Sequence, residues 1–337
     1  MGVGDTVDMR ILMVGAGATG GAFGARLLEA GRDVTYLLRT SRAEKLRRDG
    51  LRFISPDGDR VLPVQVITAD QTAAEFDLVL LAVKATGLDA ALHDAGPFIG
   101  ADTTVIPFLN GMRHIDLIRA LPAGNPLGGL VKILAALDED GSVRQMTGLA
   151  TMTIGTFDGS AVPARISDTL RVPGLELFET GEVLQSLWDK WVFIAAAGVI
   201  TCLFRNNVGN ILAAGGRSQI DAAIAETEAV AVAAGYPTKT PSHDQAVGLL
   251  TAPGSTFVSS LYRDVISGQA TEAEHILGDL QSRARALEVE TPLVDLTLVQ
   301  IRAGELVAAA PEGSAGVRRG HQDASSAARG IAGADAP

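Results

Sequence analysis

Gly15, Gly17 and Gly20 stand at G-x-G-x-x-G spacing, directly behind an apolar run (Ile11 to Val14) and ahead of a helix-compatible segment, Gly21 to Ala30. In a Rossmann unit the first glycine makes the tight turn and the second lets backbone approach a pyrophosphate. The third lets the helix pack closely on the strand. The helix N-terminus then offers free N–H groups and the positive end of its dipole to the phosphates. Glycine is abundant here, at 38 residues, so the strand before and the helix after carry the reading. The chemistry expected is dinucleotide binding.

Further along, at the place where an NAD-binding unit usually offers an acid to the ribose hydroxyls, the chain has Arg39. A guanidinium cannot accept from a ribose, but its planar fork suits a 2′-phosphate, which favours NADP(H). Arg42 or Lys45 could supply the same charge, and a solvated arginine at a strand end is the plain alternative. Lys84 and Asn110 each close an apolar run, at the strand carboxyl ends where doubly wound folds bind ligands.

Lys190 precedes a stretch that is apolar on all faces. Such a lysine either snorkels from the helix start or is buried, and burial lowers its pKa toward the range useful for proton transfer. Ser259 and Ser260 precede a second polar cluster, Thr271, Glu272 and Glu274, although Thr271 with Glu274 also spells a capping box. The five histidines, His93, His114, His243, His275 and His321, are scattered without metal-ligand spacing, so no metal site is expected.

The elements that must position these residues fall into two halves. Strands over 10–14, 34–38, 78–83 and 103–109 alternate with helical patterns, which implies a doubly wound α/β domain. Residues 51–66 alternate around Pro56 to Asp59 and predict a hairpin inserted in that unit, with strands near 127–136 and 149–156 completing its sheet. Beyond Pro173 the segments 182–204, 217–235, 256–267, 270–287 and 291–308 are helix-compatible and form an all-helical second domain. The division expected is 9–176 for the nucleotide-binding domain, 177–310 for a helical substrate and dimerisation domain, and 311–337 for a disordered tail.

Length and composition agree with two globular domains: 337 residues, 47% hydrophobic and 20% charged. A net charge of −11 argues against a nucleic-acid or anionic-membrane binder. Cys202 is the one cysteine, so no internal disulfide can form, and a small buried residue is the expected role. The longest apolar run, about 14 residues, is short for a bilayer, and Met1 to Asp8 lacks the order of a signal peptide. The expectation is a cytoplasmic protein.

Gly15 to Gly20, Val83-Lys84-Ala85, Asn110-Gly111, Trp188-Asp189-Lys190, Ser259-Ser260 and Thr271-Glu272, taken in order over residues 9–308, resemble the ketopantoate (2-dehydropantoate) reductases. The resemblance implies a Rossmann domain joined to a helical domain like that of 6-phosphogluconate dehydrogenase, an NADPH-dependent reduction of ketopantoate to pantoate in pantothenate synthesis, and a homodimer. It implies that Gly15, Gly17, Ala18, Thr19 and Gly20 hold the pyrophosphate and Arg39 the 2′-phosphate. Lys84 and Asn110 would border nicotinamide and substrate. Lys190 would be the general acid, Glu272 its partner, and Ser260 a contact of the substrate carboxylate. Two departures stand out: Ile194 and Gly198 occupy positions one and two turns beyond the lysine where the family typically carries asparagines. Gly87 and the segment Arg144 to Gly148 depart as well, lacking the family's usual glutamine and frequent histidine. A more apolar ketone, or a non-catalytic NADP(H)-binding protein, are the alternative readings.

Overall fold

Four consecutive apolar residues between Arg10 and Gly15 give strand β1 (Arg10–Val14), buried from Ile11 on because both of its faces are covered. The computed structural model describes residues 9–309, so the tail expected over 311–337 lies outside the described residues. After β1 come α1 (Ala18–Glu29), β2 (Asp33–Leu37), α2 (Thr40–Asp49), β3 (Leu51–Ser55), β4 (Gly58–Leu62), β5 (Gln65–Ile67) and β6 (Leu78–Leu81). Then follow α3 (Leu88–Ala95), β7 (Thr104–Pro107), α4 (Arg113–Arg119) and β8 (Asn125–Pro126). The first sheet is parallel throughout, in the order β5-β2-β1-β6-β7-β8. Counted along the chain within that sheet, this is the Rossmann order 3-2-1-4-5-6, with its switch point between β1 and β6.

The hairpin expected over 51–66 forms as β3 and β4, inserted in the chain between α2 and β5 of the first sheet. One expectation needs correction: the strands β9 (Gly128–Leu137) and β10 (Val143–Gly155) do not complete the first sheet, and the hairpin does not pair with it either. Together with β11 (Glu176–Glu179) they build a second sheet, in which β10 pairs with β9, β3 and β11. The cause lies in α1, which is buried continuously from Gly20 to Leu27 and therefore needs cover on two sides. Its glycine edge admits that cover: a Cβ at Gly21 would collide with Val143 of β10, and one at Gly24 with Tyr36 of β2. Between β10 and β11 lies α5 (Ala164–Leu170), and β11 straddles the boundary expected at 176/177.

The rest is helical: α6 (Val183–Phe204), α7 (Val208–Ala213), α8 (Arg217–Ala233), α9 (Thr240–Leu250), α10 (Ser260–Ile266), α11 (Asp279–Ala286) and α12 (Pro292–Ala309). Helices α5, α7 and α9 were not expected, and the helix expected over 256–267 is confined to α10. The one expected over 270–287 opens instead with a π-helical turn, Glu274–Gly278, ahead of α11. By length and composition α6 passes the test for a membrane span that the apolar run alone does not, but 67% of its most apolar window is buried inside the protein. It packs on α8, α9, α10, α12 and β9 as the central helix of one core, which runs on through Leu130 and Met112 to Leu12, Val79 and Leu81 of the first sheet. Cys202 lies in that core, its thiol pushed up to about 12 by burial.

Candidate active site

The three glycines of the loop divide their work. Gly15 has φ +99°, and a Cβ there would come within 2.9 Å of the Ala82 carbonyl. A Cβ at Gly20 would strike the Gly15 carbonyl and lie 2.8 Å from the Ala82 methyl. These two therefore pack the loop between β1 and the end of β6. Gly17 differs: a Cβ there meets nothing within 4 Å, and this residue caps α1 without a side-chain acceptor. The first intrahelical bond runs from Gly21 N–H to the Gly17 carbonyl, which leaves the N–H groups of Ala18, Thr19 and Gly20 without partners among the described residues. An open cradle lined by free donors at a helix N-terminus fits a pyrophosphate.

Of the three candidate cations near it, Arg42 donates to the carbonyls of Ala16 and Gly141 at 3.2 and 2.9 Å, and burial lowers its pKa. Lys45 pairs with Asp49 at 3.3 Å. Arg39 is exposed at the start of α2, beside Gly87, and makes no hydrogen bond or ion pair among the described residues.

The other predicted residues gather where the two halves of the chain meet. Lys84, just beyond β6, pairs with Asp264 of α10 at 3.1 Å. The next residue, Ala85, donates its N–H to Glu272 Oε1 at 2.8 Å. Thus the end of β6 is held to the helical half by a cation and by a backbone donor. Thr271 is not a capping box partner of Glu274: its hydroxyl donates to Glu305, while Glu274 holds Arg302. In the serine pair the structural role belongs to Ser259, whose hydroxyl caps α10 and shares a hydrogen bond with Thr201 at 2.7 Å. Ser260 is exposed, four residues before Asp264 and so on the same helix face.

Lys190 is half-buried in the second turn of α6, and its ammonium donates to the Val131 carbonyl of β9 at 3.0 Å. It has no carboxylate partner among the described residues. Burial first, and the charge of Lys132 second, pull its pKa from 10.5 to about 8, while the charge of Glu272 pulls the other way. On the wall beyond it, Ile194 is half-buried, and a Cβ at Gly198 would point at Leu261, 3.2 Å from its methyl. No hydrogen-bonding group is offered at either position.

The sequence did not reveal what lies beneath Asn110. Gly111, at φ +80°, rests on His275 of the π-helical turn, and His275 stacks on His114 of α4 with ring centroids 5.7 Å apart. Two of the five histidines read as scattered are thus a pair across the seam between the halves. Next to Lys190, Trp191 donates its indole N–H to the Ile276 carbonyl at 2.9 Å and so pins that same turn.

A parallel sheet of Rossmann order with an open glycine loop at its switch point, joined to a helical half, is the frame of an oxidoreductase that acts on CH–OH groups. The chain belongs to the ketopantoate reductase family: the family's description, "Ketopantoate reductase PanE/ApbA", matches residues 11–159, and its C-terminal counterpart matches 182–305. An uncharacterized oxidoreductase of Bacillus subtilis, YkpB, is 33% identical over 298 residues, spanning 87% of this chain and 98% of that protein. The 2-dehydropantoate 2-reductase of Halobacterium salinarum is 28% identical over 292 residues, 85% and 95% of the two chains. In fold, a PanE/ApbA family ketopantoate reductase from Ralstonia eutropha superimposes with a TM-score of 0.80 at 22% identity, over 88% of this chain and 98% of the other. A D-mandelate dehydrogenase solved with NADH and anilino(oxo)acetate does so with the same score and identity, over 89% and 99%.

Proposed function

We propose that the protein reduces a 2-keto acid to the 2-hydroxy acid with NADPH, with ketopantoate to pantoate, the reductive step of pantothenate synthesis, as the reference reaction. The observation that carries this reading is Lys190. A half-buried ammonium whose one hydrogen-bond partner is a carbonyl, with a pKa of about 8, is poised to give its proton to a developing alkoxide. Bound NADPH supplies the hydride. The backbone of Gly15, Gly17, Ala18, Thr19 and Gly20 holds the pyrophosphate, and the unpaired guanidinium of Arg39 takes the 2′-phosphate, which favours NADPH over NADH. Asn110 and Lys84 border the nicotinamide end. Glu272 keeps the ammonium charged by proximity and ties the end of β6 to the helical half, and Ser260 orients the substrate carboxylate.

A second reading concerns the substrate's side group. Ile194, and Gly198 against Leu261, offer a purely apolar wall beyond Lys190, and this favours a 2-keto acid more apolar than ketopantoate. Both readings are tested by following NADPH oxidation with ketopantoate and with phenylglyoxylate, with NADH as the control. Turnover with either acid and a preference for NADPH support the reductase reading, and the ratio of kcat/KM values decides the side group. Unchanged turnover in Lys190→Ala would remove Lys190 from its role.

A further inference from the structure

The chain has five lysines. Three hold carboxylates: Lys45 on Asp49, Lys84 on Asp264 and Lys239 on Glu182. The other two, Lys132 and Lys190, have none among the described residues, and they lie side by side. Val131 gives its carbonyl to Lys190, and Lys132 is the next residue of β9, in register with Thr151 of β10. Successive strand residues point to opposite faces, and the exposure of Lys132 and Leu134 marks theirs as the face of the second sheet turned to solvent. The opposite face packs on α1. Two cations without a counter-ion cost electrostatic free energy, and the acid whose charge reaches Lys190, Glu272, spends one carboxylate oxygen on the Ala85 N–H. In a protein of net charge −11 such a pair is a local trap for an anion.

We propose that Lys132 binds the carboxylate of the substrate, beside the keto oxygen held by Lys190. This rests on the 2-keto acid reading above and deepens it. In a 2-keto acid the carboxylate is bonded directly to the keto carbon, so the groups that hold the two must be neighbours, as these two lysines are. Ser260 can orient a carboxylate but cannot neutralise it. Lys132 supplies that charge from the sheet side of the cleft.

The test uses the full-length protein saturated with NADPH and titrated with oxamate, a planar 2-keto acid mimic that accepts no hydride. Lys132→Gln weakens oxamate binding roughly ten- to a hundredfold, the span of one charge-assisted hydrogen bond, while NADPH binding is unmoved. Lys132→Arg restores most of the affinity. In steady-state assays with ketopantoate, Lys132→Gln raises KM by a similar factor with little change in kcat, and it leaves KM for the neutral carboxamide of ketopantoate where it was. Unchanged oxamate affinity in Lys132→Gln, equal weakening toward the carboxamide, or no oxamate binding by the unaltered protein would each overturn the proposal. Lys132-dependent oxamate binding without NADPH oxidation on ketopantoate would keep the carboxylate site and reject ketopantoate as the substrate.

Discussion

On the general-acid role proposed for Lys190, raising the pH through about 8 switches off reduction and switches on the reverse oxidation, because both then hang on its proton. Burial and the Lys132 charge have pulled this ammonium down from 10.5 to about 8. Reduction needs it charged when substrate arrives, and oxidation of a 2-hydroxy acid needs it neutral. One unit above its pKa about a tenth remains protonated, and two units above about a hundredth, so kcat/KM for reduction falls about tenfold per unit on that limb. A lysine with an ordinary pKa would hold the rate flat until above 10. The assay is the initial rate of NADPH consumption across the pH range at constant ionic strength, beside NADP+ reduction with the hydroxy acid. Two charge-removing variants sharpen it. Lys132→Gln removes a repelling cation and moves the limb up, whereas Glu272→Gln removes an attracting anion and moves it down. A limb at 10 or above, or a shift of both variants in one direction, would refute the electrostatic account.

Other expected outcomes follow from single contacts. Gly17→Ala folds with stability within about 0.5 kcal/mol of the parent, since its backbone is unstrained and the space is open, but it fills the cradle and raises the NADPH Kd at least about tenfold by titration. Gly20→Ala collides with the Gly15 carbonyl and costs about 1–3 kcal/mol in denaturant unfolding. Arg39→Ala raises KM for NADPH roughly ten- to a hundredfold and leaves that for NADH nearly unmoved, and an equal loss on both would take the 2′-phosphate role from Arg39. Lys190→Met abolishes turnover yet stabilises the fold at neutral pH by about 1–3 kcal/mol. The sign follows from proton binding. The folded pKa is below the unfolded one, so the folded state binds fewer protons between about 8 and 10.5, and the penalty is full below 8 and gone above 10.5. The gain in Lys190→Met should fade over that window, and a gain constant with pH would point to packing instead.

Local signals in the sequence reached as far as single elements and their motifs. Ile11 to Val14, the glycine spacing and Lys190 ahead of an apolar helix were readable because each depends on residues within a turn or two. The second sheet was not, although its strands were. Strand patterns carry no record of their partners, and the partner here was chosen by α1, whose burial on two sides required a second layer. Gly21 and Gly24 were the available signal. A helix that gives up side chains on one edge is making room for a close neighbour, and Val143 and Tyr36 are those neighbours. Lys132 was invisible for a similar reason. An exposed lysine on a strand is ordinary until the fold sets it next to a second lysine and leaves both without an acid.

The buried histidines bear directly on how the pH limb is assigned. Histidine is the first suspect for any titration near neutrality, and His114 and His275 stand at the seam beside Lys190 and Glu272. Their burial disqualifies them. His114 is fully enclosed with neither ring nitrogen bonded, and burial, His275 and Lys190 together hold its pKa down to about 3. His275 is lowered as well, again chiefly by burial. Both are therefore neutral imidazoles throughout the range in which Lys190 changes charge, and they contribute no limb to that part of the profile. A cation at His114 would also oppose the Lys190 ammonium at short range, which is the opposite of what Glu272 does from its side. On the role proposed for Lys190, its proton changes near pH 8 while the stacked histidine pair at the seam stays neutral.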